Sequence, residues 1–539
     1  MKKTNHNNRD ENSRDRREGK KPLIHRLQNL KPSVEALCIE EPQLLFGDGQ
    51  LGVDPKAGIA EYGPFDVVRG GSKTINLALI GTPEGVQSYI EFLQKAQAGI
   101  EPGINSRGKF ADPFTFPRFP GFSSDSSFRA DFVSSIKAHH RTIHSEFFDK
   151  AVTGAPDESK IRNVVELLIP ELEALSEIEP QPQVVVILLP PIVQHELAHV
   201  GASFSNRRER ISPAEKFRRI LEKEQAKTGQ AALTLEFDDG EDAGEDQKTY
   251  FNIHHALKAR AMAFGLATQI VWESTLRDPY LSSVAWNMFT GIYYKSGNIP
   301  WQLDSLPENT CFVGVGFYRD KPFKNSSLET SLAQVFGAGE GIVLRGDKAV
   351  VDRERGDRKP HLSEESARKL IEAAIGQYEQ QHGALPARVV LHKTSKFWEE
   401  ELRGFKAGLG LIKHYDFLAI EQLGMRMMRV GKNPVLRGTM IPLAQRRYLL
   451  YTSGYIPYLR GYPGKRIPDP LDIVEHYGDS TGLDVCREIL ALTKLNWNSS
   501  AFSINKPITL RFAGDVGKIL RETSAGDSFH LQRKYRFYM

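Results

Sequence analysis

Two groups of residues have the types and spacing that chemistry requires. The first lies between Tyr250 and Lys295. His254 and Lys258 are four apart, so on a helix they share one face. Gln269 follows eleven residues after Lys258, and Lys295 another 26 residues on. The set supplies two ammonium groups, an imidazole and an amide, and donors are what an anion needs. Lysines meet phosphate as point charges, to which a helix N-terminus or a backbone nest can add. Singly, each residue has a bland reading: a helical Lys is solvated, and Gln269 caps a turn. Only the set points to an anion.

The second group is His195-Glu196-Leu197-Ala198-His199, an H-E-x-x-H pattern. On a helix it puts two His on one face with Glu196 as general base for a zinc-bound water. The long form of the motif needs Gly and His at 202 and 205, where Ala202 and Ser205 stand. No second Glu-bearing helix motif follows, so the expectation is a surface helix. A zinc peptidase is kept as an alternative that stoichiometric zinc would support. The run Glu236 to Asp246 holds seven carboxylates but lacks Ca²⁺-loop spacing, and is expected to be a solvated acidic loop.

The chain's bulk properties limit what can position these groups. A length of 539 residues exceeds one core, so two or three domains are expected. With 40% hydrophobic and 26% charged residues, the composition is that of an ordinary soluble protein. No apolar run is long enough for a membrane span. The polar N-terminus lacks a secretory h-region. Three distant cysteines, Cys38, Cys311 and Cys486, suit a reducing cytoplasm and offer no zinc spacing. The net charge is +4, yet the first 31 residues carry ten Lys/Arg against four Asp/Glu. The remainder is slightly acidic, so a nucleic-acid site must be a lined channel rather than a basic surface. Residues 1–35 are expected to be a disordered basic tail.

Strand and helix patterns alternate along the first half. Ile75 to Leu93 predicts strand, turn and helix, and Val184 to Pro190 predicts a buried parallel strand flanked by helices at 161–176 and 215–227. Glu41 to Asp66 predicts short strands and tight turns. This is an α/β, Rossmann-like pattern. From Trp301 the predicted strands are 311–318, 341–346 and 387–393, with a helix over 364–379 and a hairpin from Pro434 to Thr452. Phe336 to Gly341 is Gly-rich but lacks phosphate-loop spacing, and predicts a strand connection. Near the end, an amphipathic helix runs through Ile489, Leu490, Leu492 and Leu495, a polar turn covers 496–500, a strand covers Pro507 to Phe512, and a helix starts near Ala513.

The run LALTKLNWNSS followed by KPITLRFAGDVG resembles the end of an Argonaute PIWI domain. From Glu41 to Met539 the chain resembles a short prokaryotic Argonaute, built from MID and PIWI domains. That implies a Rossmann-like MID domain with an N-terminal extension over 36–300 and an RNase H-like PIWI domain over 301–539. It implies that His254 (at the family's usual tyrosine), Lys258, Gln269 and Lys295 hold a guide's 5′-phosphate. The Met539 carboxylate would share a Mg²⁺ there. Arg437, Lys494, Asn496, Asn498 and Arg511 would contact the duplex backbone. Trp497 reads as a core aromatic or a base-stacking one.

Catalytic members carry carboxylates where this chain has Gly316 and Thr394. Without them the two-metal site of an RNase H fold does not form. The expectation is a non-cutting protein that loads a short guide, RNA by preference, and pairs it with single-stranded DNA. It would act through an APAZ-bearing partner with a SIR2, TIR or nuclease effector, in cytoplasmic defence against phage or plasmids. The alternative is a guided endonuclease with displaced carboxylates, drawn from Asp320 and Glu399 to Glu401.

Overall fold

The structure is a computed structural model. It describes residues 35–67, 71–103 without 72, 114–206 without 115, 124, 125 and 127, and 252–319 without 305 and 308. It also describes 328–336, 341–351, 359–422, 426–523 without 430, 432, 433, 465 and 466, and 532–539. The predicted basic tail, the helix at 215–227, the acidic loop at 236–246, most of the Gly-rich run and Asp320 lie outside the described residues.

The chain enters through β1 (Leu37–Cys38), β2 (Leu44–Leu45) and β3 (Leu51–Gly52). Helix α1 (Pro55–Tyr62) follows where short strands and turns were expected. Asp54 Oδ1 accepts from the amides of Lys56 at 2.8 Å and Ala57 at 3.3 Å, and Pro55 needs no amide partner. This capping starts a helix that a reading of Gly and Pro as turn residues misses.

The first domain is a parallel sheet with helices on both faces. In order come β4 (Lys73–Gly81), α2 (Pro83–Ala98), β5 (Ala130–Val133), β6 (His140–Thr142), α3 (Ser145–Val152), α4 (Asp157–Ser176), β7 (Val184–Leu189), α5 (Pro191–Asn206), α6 (Ile253–Ala263), β8 (Thr268–Trp272) and α7 (Leu281–Lys295). The strand order is β5-β4-β7-β8, with β6 also beside β4, and every pair is parallel. All six residues of β7 are buried, because helices cover the sheet on both sides. One apolar layer joins alternate strand residues to α3, α4, α5 and α6. The other joins them to α2 and α7, and runs on into the second domain.

After β9 (Gln302–Leu303) the second sheet begins with β10 (Thr310–Arg319), β11 (Leu328–Phe336) and β12 (Ile342–Lys348). Helix α8 (Glu364–His382), β13 (Arg388–Lys393), α9 (Glu399–Gly408) and β14 (His414–Gln422) follow. Then come β15 (Thr439–Ala444), β16 (Arg447–Leu450), β17 (Leu471–Gly478), α10 (Gly482–Leu492) and α11 (Ile508–Leu520). The order is β1-β15-β16-β17-β14-β13-β10-β11-β12. The central strand β10 is antiparallel to β11 and parallel to β13, which is parallel to β14. That is an RNase H-like arrangement. Helices α8 and α9 cover one face, and α10, α11 and the first domain cover the other.

The predicted strand over Pro507 to Phe512 is not a strand: Ile508–Leu520 is one helix. The β-propensity of Ile508-Thr509-Leu510 loses to periodicity, since Ile508, Phe512, Val516, Ile519 and Leu520 form one buried stripe. Gly314 makes close approach possible there: a Cβ on it would stand 2.2 Å from the Thr509 carbonyl oxygen.

The entry segment is tied to the second domain. Leu37 and Cys38 pair with Met440 and Thr439. Glu41 accepts from Arg437 Nε at 2.9 Å and from Lys494 Nζ at 3.0 Å. Among the described residues, no helix is long and apolar enough to cross a membrane.

Candidate nucleic-acid interface

Asn252 starts the first piece of the site. Its side-chain oxygen accepts from the amides of His254 at 3.0 Å and His255 at 3.2 Å, so α6 opens with two imidazoles. Lys258 lies one turn on. Gln269 sits on β8, next to Val186 of β7, and Lys295 ends α7.

The fold brings His254, Lys258, Gln269 and Lys295 together. Lys295 Nζ donates to Gln269 Oε1 at 2.7 Å. Lys295 is 2% exposed and makes no ion pair among the described residues. Burial, then the Lys258 charge, pushes its ammonium well below the usual lysine range. Burial pulls Lys258 down to about 8, with Asp515 opposing. His254 falls to about 4 through burial, then through Lys258 and Lys295. Its ring meets Trp272 edge-on, with centroids 5.4 Å apart. Buried like charges are costly unless an anion answers them.

Four residues that the sequence reading left out of the set also belong to this wall. His255 falls to about 4 through burial, then through Lys258, Lys518, Arg521 and His254. Lys518 stands on α11 of the second domain and Arg521 caps its end, so the cluster draws on both domains. Arg536 lies against the α7 terminus, where a Cβ on Gly297 would come 2.5 Å from its guanidinium. The signal was available: Arg511, Lys518 and Arg521 follow at i, i+7 and i+10, one face of a helix. Reading 507–512 as a strand hid it.

Met539 is 3% exposed, at the end of a short turn, Tyr535–Phe537. The turn packs on α7, with Tyr535 and Tyr294 rings 6.4 Å apart. Tyr294 stacks on Trp497 at 4.6 Å, and Trp497 Nε1 donates to the Trp301 carbonyl at 3.0 Å. Trp497 is 2% exposed and is therefore a core aromatic.

The residues expected on the duplex backbone divide. Arg437 and Lys494 have no exposed side-chain area. Arg437 bonds Glu41, the Thr452 carbonyl and Thr493 Oγ1, while Lys494 bonds Glu41 and, at 2.5 Å, the Val53 carbonyl. Both correct the expectation: they are buried latch residues, out of reach of a duplex. Asn496 is 4% exposed and donates to Ser499 Oγ at 2.7 Å, holding the turn. Asn498 is exposed, and its Oδ1 approaches Gly291 beside Gln269 Oε1. Arg511 is half-buried, 3.5 Å from Asp515.

At the carboxyl ends of the central strands, Gly316 shares with Gly314 the face of β10 on which α11 lies. Thr394 is exposed just past β13. Glu399 to Glu401 begin α9 as expected, but Glu401 is not solvated. It is fully buried, accepting from Lys393 Nζ at 2.6 Å and from the Leu362 amide at 2.7 Å, with His361 Nδ1 at 3.0 Å. In the H-E-x-x-H helix, Glu196 accepts from Lys160 at 2.8 Å and His195 is exposed. Among the described residues, no group of three or more His, Cys, Asp or Glu is placed to hold a metal ion.

A parallel α/β domain thus packs on an RNase H-like sheet, with buried cations gathered between them. No protein-family profile matches the chain. A 272-residue segment, 50% of the chain, is 21% identical to the Argonaute of Aquifex aeolicus and covers 36% of that protein. Clostridium butyricum Argonaute, solved with a guide DNA and a 19-mer target DNA, superposes with a TM-score of 0.59 at 15% identity, over 90% of this chain and 53% of that one. Marinitoga piezophila Argonaute, solved with a 5′-OH guide RNA, gives 0.52 at 11% identity, over 94% and 59%. The chain thus spans about half the length of these solved relatives. It is Argonaute-like in both sequence and fold.

Proposed function

We propose that this chain is a short Argonaute that holds the 5′-phosphate of a short guide, RNA by preference, and pairs the guide with single-stranded DNA. The observation that carries this reading is Lys295, buried with an amide oxygen as its one hydrogen-bond partner among the described residues and facing half-buried Lys258. A phosphate dianion would supply a counter-charge to Lys258 and Lys295. Asn252-capped α6 adds its N-terminal end beside them. The 5′-hydroxyl guide of the Marinitoga complex belongs to that protein; here the two lysines favour phosphate.

Mg²⁺ fits this pocket only together with the phosphate. Gln269, Asn498 and the Met539 carboxylate are the oxygen donors that would hold it, and it would supply further positive charge toward the guide phosphate. The proposed protein does not cut, since Gly316 and Thr394 supply no carboxylate and Glu401 is held by Lys393. It would report target pairing to an APAZ-bearing partner carrying a SIR2, TIR or nuclease effector, as part of cytoplasmic defence against phage or plasmids.

The test is binding of short RNA and DNA oligonucleotides, 5′-phosphorylated beside 5′-hydroxyl, to the purified chain with Mg²⁺. A phosphate preference is expected, and Lys258→Ala should weaken phosphorylated guides about tenfold or more, the loss of one charge-assisted contact. Equal binding of both guide types, alone and with the partner, would sink the reading. Target scission with Mg²⁺ would replace it with the nuclease alternative.

A further inference from the structure

A glycine inside a helix is destabilising relative to alanine, so a buried one needs a reason. Six glycines are buried within the described helices: Gly58, Gly85, Gly291, Gly404, Gly408 and Gly517. At five of them an added Cβ would collide. It would stand 2.1 Å from the Phe46 ring at Gly58, 2.3 Å from Glu273 at Gly85, 2.1 Å from the Glu364 carbonyl at Gly404, 2.2 Å from Ile371 at Gly408 and 2.9 Å from Tyr318 at Gly517. Gly291, inside α7, is the exception. The atoms nearest to its Cβ position are Asn498 Oδ1 at 3.7 Å, the Asn498 carbonyl oxygen at 3.8 Å and Gln269 Oε1 at 3.8 Å. A methyl group would fit there, and packing does not explain why none is present.

The space over Gly291 is held open from both sides. Asn287, Gly291 and Tyr294 lie at i, i+4 and i+7, one face of α7. The turn 496–500 runs along that face in the opposite direction. Trp497 stacks on Tyr294, Asn498 stands over Gly291, and Ser500 donates to Asn287 Oδ1, from its amide at 3.1 Å and from its hydroxyl at 3.2 Å. Asn498 is exposed, so the space opens to the surface, and its side-chain amide can turn either end toward it. Lys295 Nζ is beside it, 2.7 Å from Gln269 Oε1. A space of one heavy atom, walled by amides and next to a buried ammonium, suits a polar atom rather than an apolar one.

We propose that Gly291 is a specificity-determining residue for the guide's 5′ end. Its missing methyl leaves room for one oxygen of the terminal phosphate, which accepts from the Lys295 ammonium and from the Asn498 amide NH2. The inference rests on the guide-binding reading above and names the residue that lets the site discriminate. A side chain at 291 would fill the seat before a phosphate reached it. A 5′-hydroxyl guide ends one phosphorus short and leaves the seat empty.

The test is Gly291→Ala in the full chain, probed with 5′-phosphorylated and 5′-hydroxyl oligonucleotides of one sequence. Helix propensity should raise the thermal midpoint of the guide-free variant. The ratio of the two guides' affinities should nevertheless fall roughly tenfold, the loss of a charge-assisted contact. Gly376→Ala, with open space around it on α8, makes the same helix change and should leave the ratio whole. Asn498→Ala keeps the space but removes a donor, so it should also lower the ratio. Combined with Gly291→Ala it should add little, since both act on one oxygen. A Gly291→Ala ratio equal to that of wild type would overturn the proposal. So would equal weakening of both guides, and with a lowered midpoint that result would make the glycine a packing residue. A wild-type protein that does not discriminate would sink the guide-binding reading and this proposal together, which tells the two failures apart.

Discussion

At the residue scale, the pocket's acid–base behaviour follows from crowded, buried cations. Lys258 is held at about 8. A bound phosphate favours its ammonium form, so above pH 8 binding must be accompanied by proton uptake. Affinity for a 5′-phosphorylated guide should therefore fall as pH rises from 7 to 9.5, by up to about tenfold per unit. A 5′-hydroxyl guide should show no such fall, and a titration series of both guides checks this. His254 behaves oppositely. Its folded value, about 4, lies below the unfolded one, so its stabilising contribution is present above about pH 6.5 and lost as pH falls through 4. Lys295→Met should raise the thermal midpoint of the guide-free protein and abolish discrimination between the two 5′ ends. His254, Lys258, Gln269 and Lys295 were picked out by their spacing together with the family resemblance, not by spacing alone. The burial of Arg437 and Lys494 was not legible, because their partner Glu41 is 396 and 453 residues away and nothing local announces it.

At the element scale, legibility followed periodicity. The six-residue apolar run of β7 and the long amphipathic α8 were read correctly because each carries a single unbroken signal. β11 and β17 were missed: their residues mix polar or charged with apolar types, Glu329 and Gln334 in one, Asp472, Glu475 and His476 in the other. Such strands are specified by their neighbours rather than by their own pattern. The contact between β10 and α11 is tight enough to test. Gly314→Ala would force a methyl against the Thr509 carbonyl, and should lower stability by about 1–3 kcal/mol. Gly376→Ala, on the exposed face of α8 with open space around it, should raise stability by about 0.4–1 kcal/mol. Denaturant unfolding of the two variants measures both, and equal effects would mean that α11 does not lie on Gly314.

At the scale of the whole molecule, two polar features join the halves beside the shared apolar layer. One is the cationic pocket, to which α6, β8 and α7 contribute from one side and α11 from the other. The second is the latch of Glu41 with Arg437 and Lys494. Those two side chains are fully buried, so Glu41→Ala would leave two cations in the interior without their shared carboxylate. It should cost about 3–5 kcal/mol, read as a lowered thermal midpoint. The Arg437 and Lys494 charges hold the Glu41 carboxyl below the usual range against its burial. The latch is thus complete above about pH 4.5 and weakens as pH falls. The parallel α/β layer of the first domain could be inferred from its alternating strands and helices, and the second domain's arrangement from the family resemblance. That the entry segment folds back onto the second sheet could not, because β1 is two residues long.

The cationic pocket also bears on how much of this protein a cell retains. The buried Lys295 and half-buried Lys258 ammonium groups repel one another until an anion arrives, so the vacant form is the less stable one. Cells remove unstable chains faster, and differences of about 1–2 kcal/mol alter abundance several-fold. Guide supply would then set the standing amount of the protein, with surplus unloaded copies cleared by proteolysis instead of persisting as idle receptors.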